Sequence, residues 1–218
     1  MTPRAPGPMD ASPADGEPSD GRLARGARSR RAVLERSVQM ASREGLEGLT
    51  IGALAADLGV HKSNVFALFG SKAELQLATL AAARSILIEL VVAPALESPE
   101  GLARLGAIGE AWCDYLAGEA FAGGCFLCAA SAEMDGRPGP VRDGVEAVMR
   151  EWLAVLETNI EAAIARRELA AGLDARAMAF RLNALGMAAN WQRQLLEEPT
   201  GIEHARQAWR AELARHTI

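Results

Sequence analysis

The sequence predicts an all-α protein, with a small N-terminal unit of three helices ahead of a larger helical body. Three observations carry that prediction. Alanine and leucine dominate the 218 residues, half of the chain is apolar and only 5% is aromatic, a composition that favours helix. Apolar residues recur at i, i+3, i+4 and i+7 in one stretch after another. Ser, Thr or Asp ahead of a stretch and Gly or Pro behind it punctuate the series throughout. The chain is long enough for one or two domains. The expected divisions are a tail over 1–27, a three-helix unit over 28–75 and a helical body over 76–218.

The tail holds five of the ten prolines with Gly, Asp and Ser and no apolar run, so it is read as disordered. Arg28 to Glu44 is a helix with Leu34, Val38 and Ala41 on one stripe and Arg28, Arg30 and Arg31 crowding its start. Gly45 and Gly48 separate it from Thr50, the N-cap of a helix whose Ile51, Leu54, Ala55 and Leu58 share one face. Gly59 follows, where a helix end favours positive φ. The next short helix turns Val65, Leu68 and Phe69 inward and carries Lys62, Ser63 and Asn64 on its other face. Ser71-Lys72-Ala73-Glu74 is a capping box that opens a long helix to about Val92, stopping before Pro94.

A helix, a glycine turn and a second helix with a polar outer face form the layout of a helix-turn-helix reader of double-stranded DNA. Ser63 and Asn64 can bond base edges, and Lys62 can pair with phosphate. Lys72 sits at the positive end of a helix dipole, a poor place for it unless an anion is near. The net charge of −5 argues against nucleic acid until it is divided along the chain. Residues 22–77 carry nine Lys and Arg against five Asp and Glu, whereas 78–218 carry 13 against 19. A basic unit on an acidic remainder is what contact with phosphate at one end requires.

The segment from Arg28 to Leu80 resembles the TetR family of bacterial transcriptional regulators. The resemblance rests on the order Thr50-Ile51, Ala55, Leu58-Gly59-Val60, Lys62, Phe66, Phe69-Gly70-Ser71-Lys72 and Glu74-Leu75. It implies an N-terminal DNA-binding domain joined to a helical domain that dimerises and binds a small effector. It places Arg28, Thr50, His61, Lys62, Ser63, Asn64, Phe66 and Lys72 at the DNA. The chain departs from the family pattern at three places. His61 replaces a Ser or Thr cap, Phe66 replaces a Tyr whose hydroxyl reaches phosphate, and Leu68 replaces a His. The phosphate contacts are expected to be thinned accordingly.

The body reads as further helices. Ser98-Pro99 caps one that runs to about Leu116, Gly123-Gly124 precedes a short one from Cys125 to Met134, and Glu133 and Asp135 close it as solvated charges. After a turn-rich loop, Val141 to Leu169 carries Val145, Met149, Trp152, Leu156 and Ile160 on one stripe. Asp174 caps Ala175 to Leu196. Thr200-Gly201-Ile202-Glu203 is a capping box for a last helix with Ile202, Ala205, Trp209 and Leu213 inward. The helix from Ala175 has two apolar stripes, one of Phe180, Ala184, Met187, Trp191 and Leu195 and one of Met178, Leu182 and Leu185. A helix apolar on two faces packs against two things. In the family the second is a twin subunit, which implies a homodimer on a near-palindromic operator; monomer core is the alternative.

Trp112, Tyr115, Phe121 and Phe126 gather most of the remaining aromatics, and Asn183, Asn190 and Gln194 recur along one otherwise apolar helix. An effector site is expected from Trp112, Tyr115, Cys125, Phe126, Asn183, Met187, Asn190 and Trp191, with ordinary core as the plain alternative. Gly123-Gly124-Cys125-Phe126 resembles a subgroup of the family. Cys125 and Cys128 form a C-x-x-C and are read first as small buried hydrophobes. A thiol that senses oxidants or electrophiles is a second reading.

No metal is expected, since His61, His204 and His216 are scattered, and no cofactor is expected. No phosphate loop, nucleophile elbow or metal-binding helix motif points to an enzyme. With no signal peptide and no apolar run reaching the ~18–20 residues of a membrane span, the expected location is the bacterial cytoplasm without a membrane partner. The overall expectation is a homodimeric repressor released from DNA by a small molecule. A thiol-sensing regulator and a DNA-silent helical ligand-binding protein are the alternatives.

Overall fold

The computed structural model describes residues 19–218. Within them the chain is helical, and the one extended pairing is an isolated bridge between Leu169 and Thr217. The all-α class stands. Helix α1 (Ser19–Gly48) starts ahead of the Arg28 boundary. The Arg, Leu and Ala that fill its first turns are good helix formers. Residues 1–18 of the expected tail lie outside the described residues. Gly45, at φ 79° and ψ 163°, breaks α1 where the sequence placed its end.

Helices α2 (Ile51–Asp57) and α3 (Lys62–Phe69) complete the head with α1. Val38, Ala41, Leu46, Leu49, Leu54 and Val65 are buried at its centre. The junction with the body is helix α4 (Lys72–Ala95). It is fixed to α1 by a buried hydrogen bond of 2.9 Å between the Ser37 and Thr79 hydroxyls.

The body continues with α5 (Leu102–Ala117), α6 (Phe126–Met134), α7 (Pro140–Ala165), α8 (Ala175–Leu195) and α9 (Thr200–His216). Its core sets Leu105, Ile108, Leu156, Ile160, Met178 and Leu182 out of solvent. Each such side chain contributes about 1.5–3 kcal/mol by burial. Trp112 is the hub: its ring meets Trp152 edge-on at 4.8 Å and Trp209 at 6.1 Å. Gly186 on α8 admits the Trp112 ring, because any Cβ there would overlap it.

Several boundaries differ from the sequence reading. Helix α4 passes through Pro94 instead of stopping before it. Residues Ile88–Val92 take π-helical geometry, with the Ala93 N–H reaching Ile88 O. That slip carries the helix past a residue with no N–H to give. The sequence reading found no apolar run of membrane-spanning length, yet Lys72–Ala95 is 24 residues long and an 18-residue stretch of it has mean hydropathy 1.7. Its Leu75, Leu80, Ala83, Leu87 and Val91 are buried against the protein, and Arg84 is ion-paired with Glu151, so here it serves as a core helix.

Ser98-Pro99 does not open α5. Gly101, at φ 104°, is the N-cap, and the Leu102 N–H donates to Glu168 Oε2 at 2.8 Å. Helix α7 ends at Ala165, short of Leu169, with Arg167 in the left-handed region at φ 61°. Thr200 does not cap α9: Pro199 holds that position and no side chain caps it.

Candidate functional site

The turn between α2 and α3 is built by local chemistry. The Thr50 hydroxyl accepts the Ala53 N–H at 3.0 Å and starts α2. At its end, Gly59 takes φ 65°, its N–H reaches Ala56 O at 3.2 Å, and the Val60 N–H reaches Ala55 O at 3.0 Å. These two bonds close a Schellman motif, and only a residue at ease with positive φ suits Gly59 there. Leu54 and Val65 are buried between the two helices, which fixes the angle at which α3 leaves.

Helix α3 turns Val65 and Phe69 into the head, with Leu68 half-buried beside them. His61, Lys62, Ser63 and Asn64 are exposed on its first turn. Phe66, 54% exposed, extends that face. The His61 side chain makes no capping bond, so the Lys62 and Ser63 N–H groups are open to an anion, while the Asn64 N–H donates to His61 O at 2.9 Å. Arg30 of α1 lies over the Phe69 ring at 4.7 Å and brings a guanidinium beside α3. Arg36 of α1 donates to Asp57 of α2 at 2.7 Å, and the guanidinium beside Asp57 holds its carboxyl below the usual range.

Lys72 has a protein partner that the sequence reading did not supply. Its Nζ lies 2.7 Å from Glu47 Oε1 across the α1–α4 junction. This pairing accounts for a lysine at a helix start without invoking phosphate, and Lys72 holds the Glu47 carboxyl below its ordinary value. Thr50 is half-buried and engaged as a cap. Arg28 lies in α1, with its side chain outside the described residues.

The body residues singled out as an effector site divide into two groups. Trp112, Tyr115, Cys125 and Phe126 are buried on α5 and at the start of α6. Asn183 and Asn190 of α8 turn toward them. Asn183 Oδ1 accepts the Trp152 indole N–H at 3.0 Å, its amide contacts Met187 Sδ at 3.3 Å, and Asn190 Oδ1 accepts the Cys125 N–H at 2.8 Å. The amide stripe therefore ties α8 to α6 and α7. Trp191 stands apart, 53% exposed on the opposite face of α8 with Phe180 and Leu195.

A cavity of about 10 Å³ touches Trp112, Cys125, Cys128, Met149, Trp152 and Asn183. A larger one of about 140 Å³ lies between α4 and α7, lined by Leu87, Ile88, Val92, Val148 and Val155 with the ion-paired Arg84 and Glu151. The buried Trp112 Nε1 and Tyr115 hydroxyl have no hydrogen-bond partner of ordinary geometry. Among the described residues no cluster of His, Cys, Asp and Glu could hold a metal ion.

Glu133 corrects the reading of a solvated helix end. Its carboxylate reaches from α6 to the break in α1, accepting the Leu46 N–H at 2.7 Å and the Glu47 N–H at 2.9 Å. The other end of α6 is also tied to the head. Gln39 donates to Ala120 O at 2.8 Å and accepts the Ala122 N–H at 3.2 Å. Gly123 lies so close to the Ser42 carbonyl that a Cβ would collide with it. Helix α6 thus spans from the small cavity to the head.

Comparison with known proteins agrees with both halves of this architecture. Residues 33–79 match the family model described as bacterial regulatory proteins, tetR family. Residues 101–209 match that of the tetracyclin repressor-like C-terminal domain. No curated protein matches the chain. Among solved structures, a TetR transcriptional regulator from Chloroflexus aurantiacus is similar at TM-score 0.82 and 24% identity, over 89% of this chain and 98% of that one. A TetR-family regulator from Cytophaga hutchinsonii is similar at TM-score 0.79 and 18% identity, over 89% and 97%. AibR, solved with isovaleryl coenzyme A and operator DNA, is similar at TM-score 0.64 and 18% identity, over 82% and 94%.

Proposed function

Because the chain belongs to the TetR family of bacterial transcriptional regulators, we propose that it is a cytoplasmic homodimeric repressor released from its operator by a small molecule. The observation that carries DNA binding is the first turn of α3. His61, Lys62, Ser63 and Asn64 are exposed there, without side-chain partners among the described residues, on a helix anchored by buried Val65 and Phe69. In this reading Ser63 and Asn64 read base edges, and Lys62 with the open N–H groups of α3 holds phosphate. Lys72 exchanges Glu47 for phosphate on binding, and Thr50, Arg28 and Phe66 are assigned to the same DNA face.

Dimerisation is supported by α8. One face of it is core, while Phe180, Trp191 and Leu195 on the other are 71%, 53% and 66% exposed. A two-fold pairing through that face would cover them and set two α3 helices about one DNA turn, or a multiple of it, apart. The effector is assigned to the cavities around Trp112 and Trp152, which are mostly apolar with a few polar groups. A ligand there would favour a different spacing of the heads, and the operator must weaken that ligand by the same factor.

Selection of bound fragments from random duplex DNA tests the reading. A near-palindromic motif whose affinity falls steeply with salt supports it. No enrichment at low salt would leave a DNA-silent ligand-binding protein instead.

A further inference from the structure

The small cavity contains chemistry that effector binding does not use. Cys125 and Cys128 occupy the N-cap and third positions of α6 and both line the cavity. They are 3% and 8% exposed. Cys128, Leu127 and Tyr115 are the neighbours that act on the Cys125 thiol. Cys125 makes no side-chain capping bond as a neutral thiol, and a sulfur at the start of a helix is better as an anion, because the positive end of the dipole faces it. The Tyr115 hydroxyl is a second, independent mark: it is buried and otherwise without a partner. The two thiols act on each other, which leaves Cys125 below and Cys128 above the ordinary thiol range. Cys113, by contrast, is pushed up to about 11 by burial and has no such setting.

We propose that Cys125 and Cys128 are a peroxide-responsive thiol pair whose oxidation loosens the hold of α6 on the head. The proposal rests on the regulator reading above for its outcome, though not for its chemistry. The Cys125 thiolate attacks one oxygen of hydrogen peroxide. The S–O bond forms as the O–O bond breaks, and the departing hydroxide takes a proton to leave as water. The Cys128 sulfur then attacks Cys125, an S–S bond forms, and the hydroxyl leaves as a second water with the Cys128 proton. Two thiols are oxidised by two electrons and one peroxide is reduced. Tyr115 is placed to hydrogen-bond the thiolate. The cavity, with room for about one water, favours hydrogen peroxide over bulky organic hydroperoxides.

A disulfide across the first turn draws the Cys125 backbone toward Cys128. Two ties leave that turn: the Cys125 N–H bond to Asn190 on α8 and the Gly123 contact with Ser42 on α1. The far end of the same helix holds Leu46 and Glu47 through Glu133. A shift of α6 therefore acts on the break in α1 ahead of α2.

The test is hydrogen peroxide treatment of the reduced full-length protein, followed by peptide mapping without reductant and by hydrogen exchange. The expected result is a Cys125–Cys128 disulfide with Cys113 left free, formed faster than with cumene hydroperoxide, together with faster amide exchange over residues 42–47. Cys125→Ser, which keeps a side chain of nearly the same shape, should abolish both changes. Cys128→Ser should stop at a sulfenic acid on Cys125 that dimedone traps. DNA selected by the reduced protein should then bind the oxidised protein about tenfold more weakly. Absence of the disulfide in folded protein, or a disulfide that leaves exchange over 42–47 unchanged, overturns the proposal. Failure of the reduced protein to select DNA overturns the regulator reading alone.

Discussion

In the head, the first turn of α3 presents a His, a Lys, a Ser and an Asn to solvent with no side-chain partner among the described residues. In the body, polar groups of the same kinds are turned inward and mostly engaged: Asn183 by Trp152, Asn190 by the Cys125 amide, Trp209 Nε1 by Leu105 O. The two regions use one fold class for opposite ends. A short helix held by two apolar side chains can leave its polar groups open, because water satisfies them. Buried polar groups have no such reserve, so each must find a partner or leave a gap. Three gaps remain among the described residues: Trp112 Nε1, beside the small cavity, the Tyr115 hydroxyl, and Asn159 Oδ1 on α7. Function at the head is therefore read from what is exposed, and function in the body from what is incompletely satisfied.

Substitutions should separate the two regions. Leu156→Ala removes a fully buried side chain of α7 and should cost about 2–5 kcal/mol in chemical denaturation. Its effect on DNA should appear only through the folded fraction. In the head, Asn64→Ala should leave denaturation unchanged and relax base preference at one position of the selected motif by about 1–3 kcal/mol; equal losses on selected and random DNA would remove its base-reading role. Glu133→Ala strips an acceptor from two amides and should destabilise the protein by about 1–3 kcal/mol, with the fastest added hydrogen exchange at Leu46 and Glu47.

Glu47→Gln sharpens the contrast from the other side. It releases Lys72 from its carboxylate and should raise affinity for all sequences alike, with a steeper dependence on salt. The smallest effect concerns acid. The Glu110 carboxyl is held below its ordinary value by Arg210 and Arg206, so the stability that this cluster supplies is present above the ordinary glutamate range and is lost as pH falls through the lowered value. Glu110→Gln should flatten that acid limb of a stability–pH profile and leave neutral DNA binding unchanged.

How legible these regions were in the sequence follows the range of the forces. Thr50, Gly59 and Ser71 act on neighbours within three or four residues, so cap and turn chemistry identifies α2, α3 and the start of α4 directly. The inward stripe of α9 was equally plain, since Ile202, Ala205, Trp209 and Leu213 are all buried. The start of α5 was misplaced because its acceptor, Glu168, arrives from far along the chain. Glu133 read as a solvated charge for the same reason: its donors lie in another domain. Lys72 looked like an orphaned cation because no sequence rule pairs it with Glu47. Trp191 was grouped with Trp112 by composition, and the helical turn of α8 sends it to the other face.

The carboxylate of Glu133 also sets a condition on any chimaeric regulator. Exchange of DNA-binding modules between proteins of this architecture would ordinarily cut the chain ahead of the body. Here the backbone at Leu46 and Glu47 would travel with one parent and its acceptor would stay with the other. A transplanted module would keep these two bonds only where the recipient offers a carboxylate at the same point, so a side chain in the body bears on which heads it can carry.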